Sequence, residues 1–276
     1  MKRTLTIIMT VLLSSVIGLI GCSKGRDTQK KIVIKGSTTV LPITQKAVEA
    51  YSKINKNISI SISGGGSGNG IKALLDGSTD IANSSREIKE QESNLAEEKG
   101  ITTKEIVIGY DMIVPVVHPE NPVKNLTTDQ LKAIYDGSIT NWKQLGGKDS
   151  KIIVISRDTS SGTYEVWHEK IMNKTDVKKD ALLQASNGAI VSTVSQNPKA
   201  IGYIGHGYIN DKIKALDVNG IEGTIENGKS GKFPVSRKLY MYINDKSATE
   251  ITRDFIKFLL GTEGQALVQE AGFIPL

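Results

Sequence analysis

Residues 151–172 read KIIVISRDTSSGTYEVWHEKIM. The apolar run KIIVI suits a buried strand, and YEVWHEKIM has the spacing of a helix. Between them stands Arg157, followed by Asp158, Thr159, Ser160, Ser161 and Thr163 around Gly162. A strand that hands over to a helix through a short polar loop is one unit of an α/β fold. The loop itself admits three readings: a nucleophile, a helix cap, or a site for an anion.

The same unit recurs along the chain. KIVIKG (Lys31–Gly36) reads as a short buried strand, and STTVLPITQKAVEAYSKIN as a turn and a helix. Val40, Ile43, Ala47, Val48 and Tyr51 fall near helical spacing, and Pro42 suits a first turn. ISISIS (Ile58–Ser63) alternates as a strand does; GGGSGNG (Gly64–Gly70) then reads as a loop before a helix, IKALLDG. TDIANSS is a short strand and turn, with a helix expected in EIKEQESNLAEEK. EIVIGYDMIVPVVHPENPV (Glu105–Val123) is β-rich and too long for an ordinary strand, which suits a strand crossing between domains. Thr128 is expected to cap the next helix, where Leu131, Ile134 and Tyr135 share a face. NGAIVSTVSQNPKAIGYIG predicts helix, turn and strand; KLYMYIN predicts a strand, and ATEITRDFIKFLL and EGQALVQEAG predict helices. Asn219–Lys232 is a polar patch marked by glycines. Strands alternating with helices predict an α/β fold with a largely parallel sheet.

The 276 residues suit one large or two modest domains. Hydrophobic content of 38% and a formal charge of +6 fit a globular chain with a mild preference for anions. The lysines are dispersed and not interleaved with aromatics, so no nucleic-acid footprint is expected. Lys2 and Arg3 precede an apolar stretch, Leu5–Ile20, short of the roughly 20 residues of a membrane span. LIGC (Leu19–Cys22) follows and resembles the lipobox of bacterial lipoprotein signal peptides. That resemblance implies a leader over residues 1–21, a lipid on Cys22 and a linker over residues 22–30. Anchoring on the outer face of the cell membrane would follow. Cys22 is the only cysteine, so an intramolecular disulfide is excluded.

Four loops share one character: GSTT (Gly36–Thr39), GGGSGNG, NSSR (Asn83–Arg86) and SRDTSSGT (Ser156–Thr163). Ligands of open α/β sheets bind beyond the carboxyl ends of the strands, where such loops meet. Helix N-termini there offer free N–H groups to anions, and Arg86 and Arg157 add planar forks that match a tetrahedral oxyanion. GGGSGNG has neither the lysine of a P-loop nor the third glycine of a dinucleotide fingerprint, because Asn69 stands there. Catalysis through Ser84, Ser160 or Ser161 needs a histidine held by a carboxylate. His118, His168 and His206 read instead as surface or hinge residues. No Cys/His cluster suggests zinc, and Trp142 reads as packing.

These loops, in this order, resemble the phosphate-binding lipoproteins of Pst-type ABC transporters over nearly all of the chain after the leader. KGSTTVLPITQ, ISGGGSGNGIKAL, DIANSSREIK and SRDTSSGTYEVW carry the likeness, supported by LKAIYDGSITNWKQLGG, AIGYIG and FPVSRKLYMYIN. The resemblance implies a two-lobe periplasmic-binding-protein fold of type II with a cleft between lobes joined by crossing strands. Lobe one would take residues 31–110 and 239–276, and lobe two residues 111–238. It implies phosphate contacts from Thr38, Thr39 and Ser67 on one side, and from Arg157, Ser161, Gly162 and Thr163 on the other. Ser85 and Arg86 of the third loop complete the implied phosphate contacts; at Ser85 one well-known family pattern has instead an aspartate that accepts the phosphate proton. Asp158, Asp111 or a serine lone pair remain as acceptors, and Asp158 is the candidate to buttress Arg157. The expected activity is capture of inorganic phosphate and delivery to membrane permease subunits. It would proceed without a cofactor, a metal or catalysis, in a monomer. Another oxyanion such as sulfate or molybdate is the alternative ligand, and a secreted phosphatase or hydrolase the alternative class.

Overall fold

The computed structural model describes residues 30–276. The leader over residues 1–21, Cys22 and the linker as far as Gln29 lie outside the described residues. β1 (Lys30–Gly36) buries Ile32 and Ile34 and runs parallel to β2 (Ile58–Gly64) and to β3 (Ile81–Ser84). Helix α1 (Leu41–Ile54) follows β1, with a proline in its first turn as read from the sequence. α2 (Ser67–Leu75) follows β2, and α3 (Glu90–Glu98) follows β3. α2 begins inside GGGSGNG, three residues before the end of the expected loop. Close packing explains the glycines: a Cβ at Gly36 would lie 2.2 Å from the Asn83 carbonyl oxygen, and one at Gly70 2.6 Å from the Gly36 Cα. The ends of β1 and β3 and the first turn of α2 are thereby drawn to one point.

β4 (Thr103–Val117) is a single strand of 15 residues, and HPENPV beyond it is a turn. After β5 (Asn125–Leu126), α4 (Thr128–Asp136) is capped by Thr127 rather than Thr128. The Thr127 hydroxyl accepts from the Gln130 amide, and the Gln130 side chain accepts from the Thr127 amide. The reciprocal pair outcompetes the single cap expected one residue later. β6 (Ile153–Arg157), α5 (Gly162–Lys170), β7 (Leu182–Gln184), α6 (Asn187–Ser195) and β8 (Ala200–Gly205) complete the second set of strand–helix units. β9 (Lys214–Ala215), β10 (Asp217–Val218) and the short α7 (Ile225–Lys229) occupy and precede the polar patch. β11 (Ser236–Asn244) then returns, followed by α8 (Glu250–Leu260) and α9 (Thr262–Glu270).

β5 and β10 pair with each other, and the other strands form one curled sheet in the order β2-β1-β3-β11-β4-β8-β6-β7, with β9 also on β4. Pairing is parallel on both flanks but antiparallel at the centre, where β11 meets β3 and β4, and β4 meets β8. The expected largely parallel sheet therefore holds for each flank only. The reason is that β4 and β11 run in opposite directions through the middle. The cores divide along the same line. One is built from Ile32 to Ile108 together with Leu239 to Phe273, the other from Met112 to Val235 with Ile274. Such a division makes two lobes sharing two strands.

Candidate functional site

Every loop that precedes α1, α2, α5 and α6 opens toward the junction of the two cores. Each brings a helix N-terminus with unpaired N–H groups and the positive end of its dipole. In the first, the Ser37 hydroxyl accepts from the Thr39 amide at 3.1 Å, which turns Thr38 and Thr39 inward; both are buried. In the second, Ser67 opens α2, and its hydroxyl accepts from the Ser85 amide of the third loop at 3.0 Å. In the fourth, Ser161 caps α5 by accepting from the Tyr164 amide at 3.2 Å. Capping uses only an oxygen lone pair, so the Ser161 proton is still available to a ligand. The cap and the anion readings of this loop are therefore compatible.

The lobes meet face to face. Thr39 Oγ1 lies 3.0 Å from Thr163 Oγ1, the Gly68 amide donates to the Ser160 carbonyl at 3.0 Å, and Arg157 Nη1 donates to Thr38 Oγ1 at 3.3 Å. A Cβ on Gly162 would sit 2.4 Å from Ser67 Oγ and 2.8 Å from Ser85 Oγ. Thr38, Thr39, Ser67, Ser85, Arg157, Ser161, Gly162 and Thr163 are thus brought together as one buried polar cluster.

Arg157 is 1% exposed. Its Nε donates to the Gln184 carbonyl and its Nη2 to the Ala185 carbonyl, at 2.9 and 3.0 Å. The closest carboxylate among the described residues, Asp158, is partly exposed and 3.9 Å away. Burial pushes the guanidinium below its usual pKa, with Asp158 opposing the shift. Behind it, Tyr203 accepts from the Arg157 amide and stacks on Trp167 at 4.4 Å. Burial raises the Tyr203 phenol to about 12, so this support is neutral.

Arg86 is placed differently. Its two terminal nitrogens donate to both oxygens of Glu92 at 2.8 Å. Its Nε lies 2.7 Å from Glu165 of α5 without an aligned hydrogen bond, and Lys89 approaches the same carboxylate at 3.0 Å. Burial alone would lower its pKa, but Glu92 and Glu165 outweigh that and raise it. Arg86 and Glu165 line an outer groove of about 720 Å³ together with Lys89, Lys170, Lys174 and Lys238. Arg86 therefore spans the lobe junction as an ion pair at its rim.

Three residues at the centre escaped the sequence reading. Arg237 on β11 pairs with Asp111 on β4, donating from Nε and Nη2 at 3.0 and 2.7 Å. It also donates to Thr163 and Thr39 hydroxyls at 3.1 and 3.2 Å. Asn187, fully buried at the start of α6, donates to Thr38 and Thr39 hydroxyls, both at 3.1 Å. Tyr208 donates to the Thr38 carbonyl. A signal existed for Asn187, since QASNG is a fifth polar link between a strand and a helix. Asp111 has both oxygens committed, one to Arg237 and the other to the His206 amide at 2.9 Å. Asp158 accepts from the Ser160 amide and hydroxyl.

The histidines stand apart from the serines. His118 Nδ1 accepts from the Glu120 amide, His206 Nδ1 meets the Gly272 carbonyl, and His168 stacks on Tyr164. Trp142 is buried, its Nε1 donating to the Lys199 carbonyl at 2.9 Å.

Two lobes, a shared pair of crossing strands and a polar cleft at the strand ends define the periplasmic-binding-protein class, and the model of the PBP superfamily domain matches residues 23–263. Phosphate-binding protein PstS of Borreliella burgdorferi is 35% identical over 98% of this chain and 98% of its own. The Staphylococcus epidermidis protein of the same name is 36% identical over 92% of this chain and 81% of its own. Among solved structures, a Vibrio cholerae ABC-type phosphate transport receptor superposes with a TM-score of 0.73 at 34% identity, over 89% of this chain and all of its own. A Clostridium perfringens protein solved with bound phosphate superposes with a TM-score of 0.85 at 36% identity, over 90% of this chain and all of its own. The chain belongs to the PBP superfamily and, within it, to the family of phosphate-binding proteins PstS.

Proposed function

We propose that the protein captures inorganic phosphate between its lobes and hands it to the permease subunits of an ABC transporter, making and breaking no covalent bond. Arg157 carries this reading. It is a buried cation whose nearest carboxylate among the described residues, the partly exposed Asp158, stands 3.9 Å away, and it is ringed by hydroxyls and helix N-termini from both lobes. A desolvated charge of this kind is costly unless an anion joins it. The ligand shell comprises Thr38, Thr39, Ser67, Ser85, Arg157, Ser161, Gly162 and Thr163. Arg86, placed among the phosphate contacts from sequence, is assigned to holding the lobes together at the rim. Lobe one takes residues 31–110 and 239–276 and lobe two residues 111–238, in keeping with where the two cores change over. A lipid on Cys22 would keep a monomeric receptor at the outer face of the cell membrane, close to its permease.

Isothermal titration with phosphate, arsenate and sulfate tests the proposal. Phosphate and arsenate should bind, and millimolar sulfate should not compete. The second reading, a receptor for a proton-free oxyanion such as sulfate, draws on a lining made mainly of donors and on Ser85 standing where an acid was expected. Tighter binding of sulfate than of phosphate would establish it and sink the first.

A further inference from the structure

The hydroxyls of the cleft are not free rotors. A hydroxyl oxygen has two lone pairs and one proton. Thr38 Oγ1 receives N–H groups from Arg157 and Asn187, and Thr39 Oγ1 receives them from Asn187 and Arg237. Guanidinium and amide NH2 groups can only donate, so both oxygens have spent their acceptor capacity. The single remaining role of each hydroxyl is to give its proton away. Thr163 Oγ1 accepts from Arg237, and the 3.0 Å contact with Thr39 extends the same direction of donation.

The two donors are themselves held in one sense. Asn187 Oδ1 accepts from the Gly205 amide at 3.1 Å, which fixes the side-chain NH2 on the threonines. Arg237 is anchored by two donations to one oxygen of Asp111, an ion pair that also neutralises its charge. It therefore orients the site while leaving the net charge there to Arg157. We propose that Asn187 and Arg237 are positioning residues that set the polarity of the Thr38, Thr39 and Thr163 hydroxyls, making this side of the cleft donor-only. This inference rests on the phosphate reading above. The consequence is selectivity by proton count: such a wall favours oxyanion oxygens that carry no hydrogen.

Asn187→Asp inverts the arrangement at least cost to the fold, because the new carboxylate still accepts from the Gly205 amide. The threonine hydroxyls would then donate to Asp and turn lone pairs toward the ligand. The probes are inorganic phosphate and fluorophosphate at about pH 8, where both are mainly dianions of similar size and only phosphate keeps a proton. Added negative charge repels both alike, so the ratio of their affinities isolates polarity. Titration of the full-length protein should show fluorophosphate weakened about tenfold more than phosphate, relative to the unsubstituted protein. Equal weakening of both, or no weakening of either, overturns the proposal. If Asn187→Asp does not fold, judged by thermal unfolding, Asn187→Ala is read by the same ratio. It should shift the ratio in the same direction by about threefold, and an unchanged ratio is the overturning result. Failure of the unsubstituted protein to bind phosphate would count against the function itself, a separate outcome.

Discussion

Two buried arginines approach the lobe junction from opposite sides, and they are built for opposite purposes. Arg86 leaves lobe one with Glu92 grasping both of its terminal nitrogens and Glu165 of the other lobe against its Nε. Its charge is already answered by the protein. Arg157 is buried more deeply, rests on two backbone carbonyls and a threonine hydroxyl, and meets no carboxylate of the described residues closer than 3.9 Å. From sequence the two look equivalent, each an arginine in a serine-rich loop after a strand. The structure separates a closure contact from an anion contact by one criterion, the presence of a protein carboxylate on the guanidinium. A charge that the fold has paired contributes little to a ligand, whereas one left unpaired in a dry cleft reserves its interaction energy for the ligand.

Removing Arg157 should have the largest effect. Arg157→Ala is expected to weaken phosphate binding by about 3 kcal/mol or more, over a hundredfold in Kd by titration calorimetry. Near-normal affinity would remove Arg157 from the ligand shell. Gly162→Ala comes next, because its methyl group would collide with Ser67 and Ser85 across the cleft. It should lower affinity by about 2 kcal/mol through incomplete closure, seen as a larger radius of gyration by X-ray scattering in saturating phosphate. Glu165→Gln at the rim should cost about 1 kcal/mol or less, mainly as faster release in stopped-flow measurements. A loss matching that of Arg157→Ala would erase the distinction between the two arginines. Ser85→Ala should have the smallest effect on phosphate itself, about 0.5 kcal/mol. Ser85 Oγ contacts Ser67 Oγ at 3.3 Å and receives no N–H among the described residues, so it can still accept a proton. Sulfate has none to offer, and its binding should change less than that of phosphate.

Local order explains what could be read in advance. KIVIKG, ISISIS and KIIVIS declare strands through alternation or apolar runs, and the loops after them fall at strand ends because helical spacing resumes at once. Those signals extend over a few residues and survive tertiary packing. Long-range pairing was invisible. Arg237 acquires its role from Asp111, 126 positions away, and from Thr39, 198 positions away. Asn187 reaches Thr38 across 149 positions. Nothing in SRKLYMYIN distinguishes a buried, neutralised arginine from one on an exposed strand face. The cap at Thr127 was missed by one residue because adjacent threonines compete, and only the reciprocal bond with Gln130 decides between them. The antiparallel centre of the sheet was likewise hidden, since the direction of β11 is set by where the chain returns.

Arg237 and Asp111 are directly paired in register on β11 and β4, the two strands that join the lobes. A rotation that opens the cleft must twist about these strands, because the sheet runs unbroken from one lobe to the other through them. Thr39 belongs to one jaw and Thr163 to the other, yet both are held by this one guanidinium. Opening would carry the two threonines away on opposite arcs while the ion pair keeps its place at the fulcrum. Each closing stroke would then return both jaws to the same fixed N–H donors, whose charge Asp111 has already balanced, so the pair would work as a mechanical stop.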